Sequence, residues 1–379
     1  MKLRFGMIGG GNGAFIGNVH RHGAVMDDMA VLAAGCFTRN YEKNLFTAKK
    51  WNIEDENRIY KDYKEMAEKE GAREDGIHFV CITTPNSSHY EIAKCFMENN
   101  IHVMCDKPLA YNLEQGIELE KIAKEKNLLF GLTYTYTGYA MIRQAREMID
   151  RGEIGEILHV VAEYPQDWVI TSTVQENPDQ ALWRLDPNVI GDSLCTGDIG
   201  THLEQLIAQT TGLQIKKVLA RFDTYPRDLP LETNSTVLLD FGSKITGTLW
   251  TSQIAIGHEC SVKIRVFGTK GAIEWQHETA GTLKVTKINA PSQYYTANRD
   301  YNYSEANRLC RLPAGHPEGF YEAFGNIYRS FCENLMAGLE SREALNYTYP
   351  TVTDGVQGLK FVKACVESNR NGNIWVDVG

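Results

Sequence analysis

The sequence has no excess of basic residues. Its 379 residues include 39 Lys and Arg against 48 Asp and Glu, so the formal net charge is −9 at pH 7. Nucleic-acid backbones and anionic membrane surfaces attract basic proteins, and the charge therefore argues against both kinds of partner. It leaves small neutral molecules open as ligands.

Long apolar runs are also missing. No stretch approaches the ~18 consecutive apolar residues that a membrane-spanning helix needs. The apolar start of the chain, residues 1–8, is short and stops at glycines without a small-residue cleavage pattern, unlike a secretory signal. These features predict a soluble protein of the cytoplasm.

Metal-binding and disulfide patterns are absent from the cysteines and histidines. The nine cysteines are odd in number, scattered, and without a Cys-x-x-Cys pair. The ten histidines include no His-Glu-x-x-His or comparable spacing. We therefore expect free thiols in a reducing compartment and no metal site.

Residues 1–133 alternate short apolar runs with longer helix-forming stretches. The pattern predicts strands at residues 4–8, 31–37, 77–83, 101–105 and 128–132, with helices at 41–51, 63–69, 90–99 and 113–126. Strand–helix alternation is typical of an α/β fold with a parallel sheet, and continuous apolar strands indicate a sheet covered on both faces. We predict an N-terminal, doubly wound domain over residues 1–133.

The rhythm changes in residues 134–379, which we predict to form a second, α+β domain. Consecutive strands at 216–223, 236–240, 244–252, 261–268 and 271–276 indicate a mostly antiparallel sheet. Another strand is predicted at 156–164, with helices at 140–151, 199–210, 321–335 and 352–368. The last helix can pack back on the first domain.

A glycine cluster follows the first predicted strand and opens a helix. Gly9-Gly10-Gly11-Asn12-Gly13-Ala14 contains the G-x-G-x-x-A fingerprint of Rossmann dinucleotide-binding domains. In that motif Gly9 allows a tight turn, Gly11 lets a pyrophosphate approach the backbone, and Ala14 permits close helix–strand packing. The alternative is a glycine-rich turn without a ligand, but the strand–turn–helix context favours a cofactor.

The second strand ends at Phe37-Thr38-Arg39 without the acidic residue that favours NAD. Arg39 could stack on adenine, pair with a phosphate or be a solvated charge, and the sequence leaves these alternatives open.

Two further strand ends carry polar side chains. Thr84-Pro85-Asn86 follows the third strand, where it can cap a helix, lie against a cofactor, or do both. Asp106-Lys107-Pro108 follows the fourth strand, where the Lys107 ammonium would point into the crevice at the carboxyl edge. An Asp-Lys pair alone is more often a surface turn.

Gly197-Asp198-Ile199-Gly200-Thr201-His202 is the last motif. On a helix Asp198 and His202 would share a face. Alcohol oxidation needs a group that accepts the hydroxyl proton, and imidazole has a suitable pKa. The alternative is a helix N-cap at Asp198 with a core histidine at position 202.

Together these motifs resemble the glucose–fructose oxidoreductase and inositol dehydrogenase family (Gfo/Idh/MocA), over nearly the whole chain. The resemblance also includes Val19-His20-Arg21 and His89. It implies a Rossmann domain followed by an open-faced sheet, a nicotinamide cofactor, and a homodimer or homotetramer. It implies that Lys107 and His202 are the catalytic pair and that Asp198 binds a substrate hydroxyl. Asp106 departs from the family pattern, where Glu is more usual.

We derive from these motifs a set of candidate cofactor-binding residues: Gly9, Gly11, Asn12, Gly13, Ala14, Phe15, Ile16, Thr38, Arg39, Thr84, Pro85, Asn86, His89 and Asp106. The cofactor is expected to be NAD, with NADP as the alternative.

Three segments resemble the inositol- and levoglucosan-dehydrogenase subgroup: the extended glycine stretch of residues 9–17, Tyr136-Thr137-Gly138-Tyr139, and Ala314-Gly315-His316-Pro317-Glu318-Gly319. The candidate substrate-binding residues are Tyr136, Tyr164, Trp183, Arg184 and His316. The expected reaction is reversible oxidation of a ring secondary hydroxyl of a cyclitol or pyranoside, such as C3 of a glucoside. The alternatives are a glycosidase that oxidises its substrate transiently with bound NAD, and a non-catalytic dinucleotide-binding regulator.

Overall fold

In the computed structural model the chain divides into two units. Five parallel strands form the sheet of the first unit, which consists of Met1–Thr135 and Phe320–Val356. The structure describes residues 2–174, 185–341 and 348–379. The strands lie in the order β2-β1-β3-β4-β5. They are β1 (Leu3–Gly9), β2 (Ala30–Cys36), β3 (Phe79–Thr83), β4 (His102–Cys105) and β5 (Phe130–Leu132).

Helices connect these strands, and polar caps fix where several of them begin. The connecting helices are α1 (Phe15–Val25), α2 (Tyr41–Lys50), α3 (Tyr63–Ala72), α4 (His89–Glu98) and α5 (Leu113–Glu125). Asn40, Asp62 and Asn112 each accept a hydrogen bond from a backbone N–H in the first turn of α2, α3 and α5. Such caps satisfy amides that have no partner inside the helix.

The core of this unit includes a helix from late in the chain. Helix α11 (Phe320–Leu339) contacts α1, because Gly23 leaves room for Tyr328 and Phe324. Phe331 of α11 also packs on Phe79, which stacks on Phe5 with ring centroids 5.3 Å apart. Residues Phe320–Val356, which include α11, thus join the first unit in addition to the N-terminal residues predicted for it.

Nine strands form the sheet of the second unit, Tyr136–Gly319 and Gln357–Gly379. Their order is β13-β12-β11-β10-β6-β9-β8-β7-β14, and neighbours are antiparallel except β6 and β9. They are β6 (Ile157–Pro165), β7 (Lys217–Asp223), β8 (Asn234–Asp240), β9 (Thr246–Ser252), β10 (Lys263–Gly268), β11 (Gly271–Gln276), β12 (Thr282–Lys287), β13 (Gln293–Thr296) and β14 (Val376–Asp377). The predicted fold class is confirmed, although β12, β13 and β14 were not predicted.

Helices cover one face of this sheet. Strand β8 alternates accordingly: Val237 and Leu239 are buried, whereas Leu238 on the other face is 43 % exposed. The helices of the unit are α6 (Ala140–Asp150), α7 (Trp168–Val174), α8 (Pro187–Ile190), α9 (Thr201–Thr211), α10 (Ser304–Asn307) and most of α12 (Val352–Arg370). Among the helices described, none is long and apolar enough to cross a membrane.

Candidate active site

The glycine turn joins β1 to α1 at the carboxyl edge of the first sheet. Gly9 has a φ of +80°, a left-handed conformation that favours glycine. A Cβ on Gly11 would lie 3.0 Å from the Phe37 Cβ and 3.1 Å from the Thr38 Cγ2, so the turn lies close to the end of β2. The free amides at the start of α1 follow at once, and such amides bind phosphate. The cradle therefore fits a dinucleotide pyrophosphate.

The close helix–strand approach expected at Ala14 is found at Gly17 instead. Ala14 is exposed and lies just before α1. A Cβ on Gly17 would overlap the Gly10 backbone. Since α1 begins at Phe15, its first turn places residue 17 rather than residue 14 against the glycine turn. The expectation for Ala14 was wrong in this respect.

Thr38 and Arg39 differ in how firmly they are held. The Thr38 N–H donates to Asn44 Oδ1 at 2.7 Å, and its hydroxyl donates to the Asn40 carbonyl at 2.9 Å. Arg39 is exposed. Thr38 thus holds the loop that begins α2, whereas the Arg39 side chain faces solvent.

The side chain of His89 contacts the backbone of the turn after β3. The ring Nε2 lies 2.8 Å from the Thr84 carbonyl oxygen, and the ring Nδ1 lies 2.8 Å from the Pro108 carbonyl oxygen. The Ser88 hydroxyl donates to the Pro85 carbonyl at 2.8 Å. His89 is completely buried, so its ring meets the backbone of two turns.

The Asp106-Lys107-Pro108 turn follows β4, next to β3 in the sheet. Asp106 Oδ1 accepts hydrogen bonds from the Lys107 N–H at 2.9 Å and from the Thr133 hydroxyl at 3.0 Å. The Lys107–Pro108 peptide bond is cis. Asp106 therefore uses one carboxylate oxygen to hold the backbone of Lys107.

A buried histidine lies behind Asp106. His20 Nε2 is 3.7 Å from Asp106 Oδ1, while His20 Nδ1 lies 2.7 Å from the Tyr328 hydroxyl and 3.1 Å from Cys81 Sγ. Burial alone would lower the pKa of His20, but the neighbouring Cys81 and Asp106 outweigh it and raise the pKa to about 10. Burial opposes the charge of Asp106 too, yet the hydrogen bond and charge of His20 hold its pKa below the usual value.

In the second unit Asp198 and His202 lie on successive helical turns. Asp198 belongs to a π-helical turn (Thr196–Gly200), and His202 lies in the first turn of α9. Such π turns are rare and often occur at functional sites. Asp198 is not a helix cap; its Oδ2 accepts a hydrogen bond from Gln253 Nε2 at 3.2 Å.

Glu232 holds the start of this motif. Its carboxylate accepts hydrogen bonds from the Ser193 hydroxyl at 2.5 Å, the Thr196 N–H at 2.9 Å and the Leu194 N–H at 3.2 Å. Burial raises the pKa of Glu232, and these donors counteract that effect. A buried carboxylate thus supplies the cap that was considered for Asp198.

Aromatic side chains surround His202. Its ring makes an edge contact with Tyr136, with centroids 5.1 Å apart, and lies 6.1 Å from the ring of Tyr164. The Tyr136 and Tyr164 hydroxyls are 2.6 Å apart. Burial raises the pKa of both phenols, so both remain neutral. His277, which was not predicted, joins the group with its ring 5.3 Å from that of Tyr136.

Three more residues were predicted to bind the substrate. Trp183 and Arg184 lie outside the described residues. His316 is exposed, with Nδ1 3.0 Å from the Pro313 carbonyl oxygen. Its role stays a prediction.

Comparison with known proteins decides the family. The model of the oxidoreductase family with an NAD-binding Rossmann fold matches residues 3–134, and the GFO/IDH/MocA C-terminal domain matches residues 142–274. The chain belongs to the Gfo/Idh/MocA oxidoreductase family. The predicted family is thus confirmed, as is its NAD-binding Rossmann domain.

Three relatives illustrate the similarity. An uncharacterized oxidoreductase of Bacillus subtilis is 35 % identical, over 99 % of this chain and 96 % of its own. An inositol dehydrogenase homologue of Azotobacter vinelandii, solved with NADH and myo-inositol, has a TM-score of 0.92 and 33 % identity, covering 100 % of this chain and 98 % of its own. A levoglucosan dehydrogenase of Pseudarthrobacter phenanthrenivorans is 26 % identical over 55 % of this chain and 58 % of its own.

Several site residues of this family member have no motif in the sequence. Gln253, Glu232, His277 and Thr133 reach their partners from distant positions in the chain. Thr133 could have been predicted as a site residue from the sequence. It directly follows β5, and the carboxyl ends of the parallel strands carry the other site residues of this unit. The other three lie at or beyond the ends of β8, β9 and β11, and only the folded sheet reveals their partners.

Proposed function

We propose that this family member oxidises a secondary hydroxyl on the ring of a cyclitol or pyranoside to a ketone, reversibly and with NAD. The main support for the proposal is the position of His202. Its ring contacts Tyr136 and Tyr164, and Asp198 precedes it by one helical turn. An imidazole beside phenol hydroxyls and a carboxylate suits a ligand that is rich in hydroxyl groups.

The oxidation removes a proton from the hydroxyl oxygen and a hydride from the ring carbon, which leaves a carbon–oxygen double bond. When bound, NAD supplies the hydride acceptor. His202 accepts the proton, and Asp198 accepts a hydrogen bond from a substrate hydroxyl. Lys107 stabilises negative charge on the oxygen as the proton leaves.

The other candidate residues orient the ligands. The cradle of residues 9–16 holds the pyrophosphate, and the Thr84-Pro85-Asn86 turn lies at the same sheet edge. In the second unit Tyr136 and Tyr164, whose rings lie beside His202, are the proposed aromatic contacts of the sugar ring. Trp183, Arg184 and His316 remain proposed substrate contacts.

The charges favour a neutral substrate. The carboxylate of Asp198 repels an anionic ligand, and neither an imidazole nor an ammonium offers the paired, planar donors that bind a carboxylate firmly. The Azotobacter relative was solved with myo-inositol, and the Pseudarthrobacter relative is a levoglucosan dehydrogenase. Both ligands are neutral rings with secondary hydroxyls.

A substrate screen tests the proposal. Cyclitols, pyranosides and 2-hydroxy acids are incubated with NAD or NADP, while the absorbance of the reduced nicotinamide is followed. We expect activity on a cyclitol or pyranoside, with mass and NMR spectra of a ring ketone on an intact carbon skeleton, at C3 in the case of a glucoside.

Three other outcomes contradict parts of the proposal. A lactone or aldonic acid would mean oxidation at the anomeric carbon. Hydrolysis of a glycoside without net NADH formation would indicate the glycosidase alternative. Turnover of lactate- or malate-like acids alone would reject the substrate class.

We also propose a homodimer or homotetramer in the cytoplasm. The uncovered face of the second sheet carries Leu238 and Phe267, 43 % and 39 % exposed, and a second copy can bury such side chains. Light scattering after size-exclusion chromatography measures the assembly, and a monomer would reject it.

A further inference from the structure

His89 meets the backbone of two functional turns with one ring. It is the first residue of α4, and its side chain is completely buried. Nε2 lies 2.8 Å from the Thr84 carbonyl oxygen, in the turn after β3, and Nδ1 lies 2.8 Å from the Pro108 carbonyl oxygen, in the turn after β4. The ring therefore spans the gap between two neighbouring strand ends.

Both partners of the ring can only accept hydrogen bonds. A carbonyl oxygen has no proton to offer, so the neutral imidazole, which carries one N–H, donates to one of the two carbonyls, and only the imidazolium donates to both. Burial lowers the pKa of His89, while the two carbonyl contacts and Asp106 counteract that effect. Leaving a buried carbonyl without a donor is costly. The ring therefore reaches both carbonyls and donates to at least one of them, whereas an apolar residue of the same size can donate to neither.

Each turn also has an anchor of its own. The Ser88 hydroxyl donates to the Pro85 carbonyl oxygen at 2.8 Å within the first turn. In the second turn the Lys107 N–H donates to Asp106 Oδ1 at 2.9 Å. These contacts shape each turn separately, whereas the His89 ring joins one turn to the other.

We propose that His89 is a positioning residue that fastens the cofactor turn, Thr84-Pro85-Asn86, to the turn that carries Lys107. The proposal rests on the proposed roles of these two turns. Because its ring is buried with both nitrogens engaged, His89 acts through the turns and not by touching a ligand. Because one imidazole contacts both turns, a shift of the cofactor turn also shifts the turn that carries Lys107, and the reverse holds as well.

Two substitutions separate donation from volume. His89→Leu fills similar space without a donor, whereas the side-chain amide of His89→Gln keeps a donor that can reach one of the two carbonyls. For His89→Leu we expect NADH binding weakened roughly tenfold and turnover lowered about 10- to 100-fold, from the loss of the buried contacts of the ring with both carbonyls. His89→Gln should recover part of both losses.

Hydrogen exchange shows whether the two turns respond together. In His89→Leu the amides of residues 84–88 and 106–110 should both exchange faster. In the unsubstituted protein, saturating NADH should slow exchange in both segments. This second measurement needs no variant, so it remains informative if His89→Leu does not fold.

His102 supplies a matched control. It lies at the opposite end of β4, and its Nδ1 accepts a hydrogen bond from the Leu129 N–H at 2.8 Å. Burial lowers its pKa to about 4. His102→Leu also removes a partly buried backbone contact, but it should leave NADH affinity and turnover unchanged, whatever it does to thermal stability.

Three results would overturn the proposal: a folded His89→Leu protein with normal NADH affinity, equal losses in the Leu and Gln variants, or NADH protection confined to residues 84–88. Failure of the proposed function is a separate result. If Lys107→Met retains turnover, the role of Lys107 is wrong, while NADH affinity and exchange still report on His89.

Discussion

The candidate residues of the first unit follow the ends of neighbouring parallel strands, whereas those of the second unit come from scattered positions in the chain. Turns after β1, β3 and β4 carry the glycine cradle, Thr84 and Lys107. In the second unit, His202 contacts Tyr136 and Tyr164, and Asp198 contacts Gln253. The first arrangement is held largely through backbone atoms, and the second through side chains.

This difference has a physical origin. In a parallel sheet every carboxyl end lies on the same edge, so short motifs after successive strands come together whatever the connections between them. In the mixed sheet of the second unit, paired residues of β6 and β9 such as His159 and Thr246 are 87 positions apart in sequence, and side chains meet only when that pairing forms. We therefore expect substitutions in the two units to change catalysis and stability in different ways.

The largest effect is expected from Lys107→Met in the first unit. Removing the ammonium that stabilises the substrate oxygen should lower turnover by roughly 10²- to 10³-fold or more. NADH affinity should stay close to normal, because the side chain acts on the substrate. Steady-state kinetics and a fluorescence titration with NADH measure both quantities.

Lys49→Met is the control for Lys107→Met, since Lys49 is an exposed lysine on α2 of the same unit. It should behave as the unsubstituted protein. Near-normal turnover of Lys107→Met would remove Lys107 from the proposed mechanism.

His202→Asn tests the second unit in the same way, with an expected loss in turnover of roughly 10²-fold. The loss of the proton acceptor should also remove one ionisation from the pH profile of kcat/KM. The half-buried His159, whose Nδ1 lies 2.8 Å from the Thr246 hydroxyl, offers the control variant His159→Asn. An unchanged rate and profile would make His202 a core residue.

Much of the first unit could be predicted from its sequence because its signals are local. The strand ends at Thr83 and Cys105 and the start of α5 at Leu113 follow from apolar runs and turn residues. The glycine turn was also predicted, but the close approach at Gly17 was not, because it depends on where α1 begins.

The second unit was less predictable for a related reason. Strands β7 to β11 alternate clearly, and the 197–202 motif was recognised through the family resemblance. The partners of that motif could not be inferred: Glu232 and Gln253 contact it only through the folded sheet. Neither residue differs in sequence context from ordinary polar residues at strand ends.

Asp106→Asn is expected to cost about 2 kcal/mol of stability, because it removes the charge that faces the buried His20. The pKa of Asp106 is lowered by folding, so its contribution is present above its ordinary pKa of 3.8 and is lost as the pH falls. The pKa of His20 is raised from 6.5 to about 10, so its contribution is complete below 6.5 and is lost as the pH rises through 10.

The stability difference between Asp106→Asn and the unsubstituted protein should therefore be largest between about pH 5 and 6.5. It should shrink towards pH 10 and below pH 4. Urea unfolding at several pH values measures it. A difference that does not vary with pH would mean that His20 and Asp106 do not form a charged pair.

The smallest effect is expected from Arg39→Ala, at the strand end where the sequence left cofactor choice open. NAD should give the higher kcat/KM in the unsubstituted protein, because Arg39 is exposed and Thr38 is held by Asn44 and Asn40. An exposed arginine beside a phosphate is worth up to about 1 kcal/mol, so Arg39→Ala should weaken use of NADP by roughly threefold. Use of NAD should change less, since NAD lacks the 2′-phosphate. Comparing kcat/KM for both cofactors in both proteins measures this. A marked preference for NADP, abolished by Arg39→Ala, would show that this turn selects NADP.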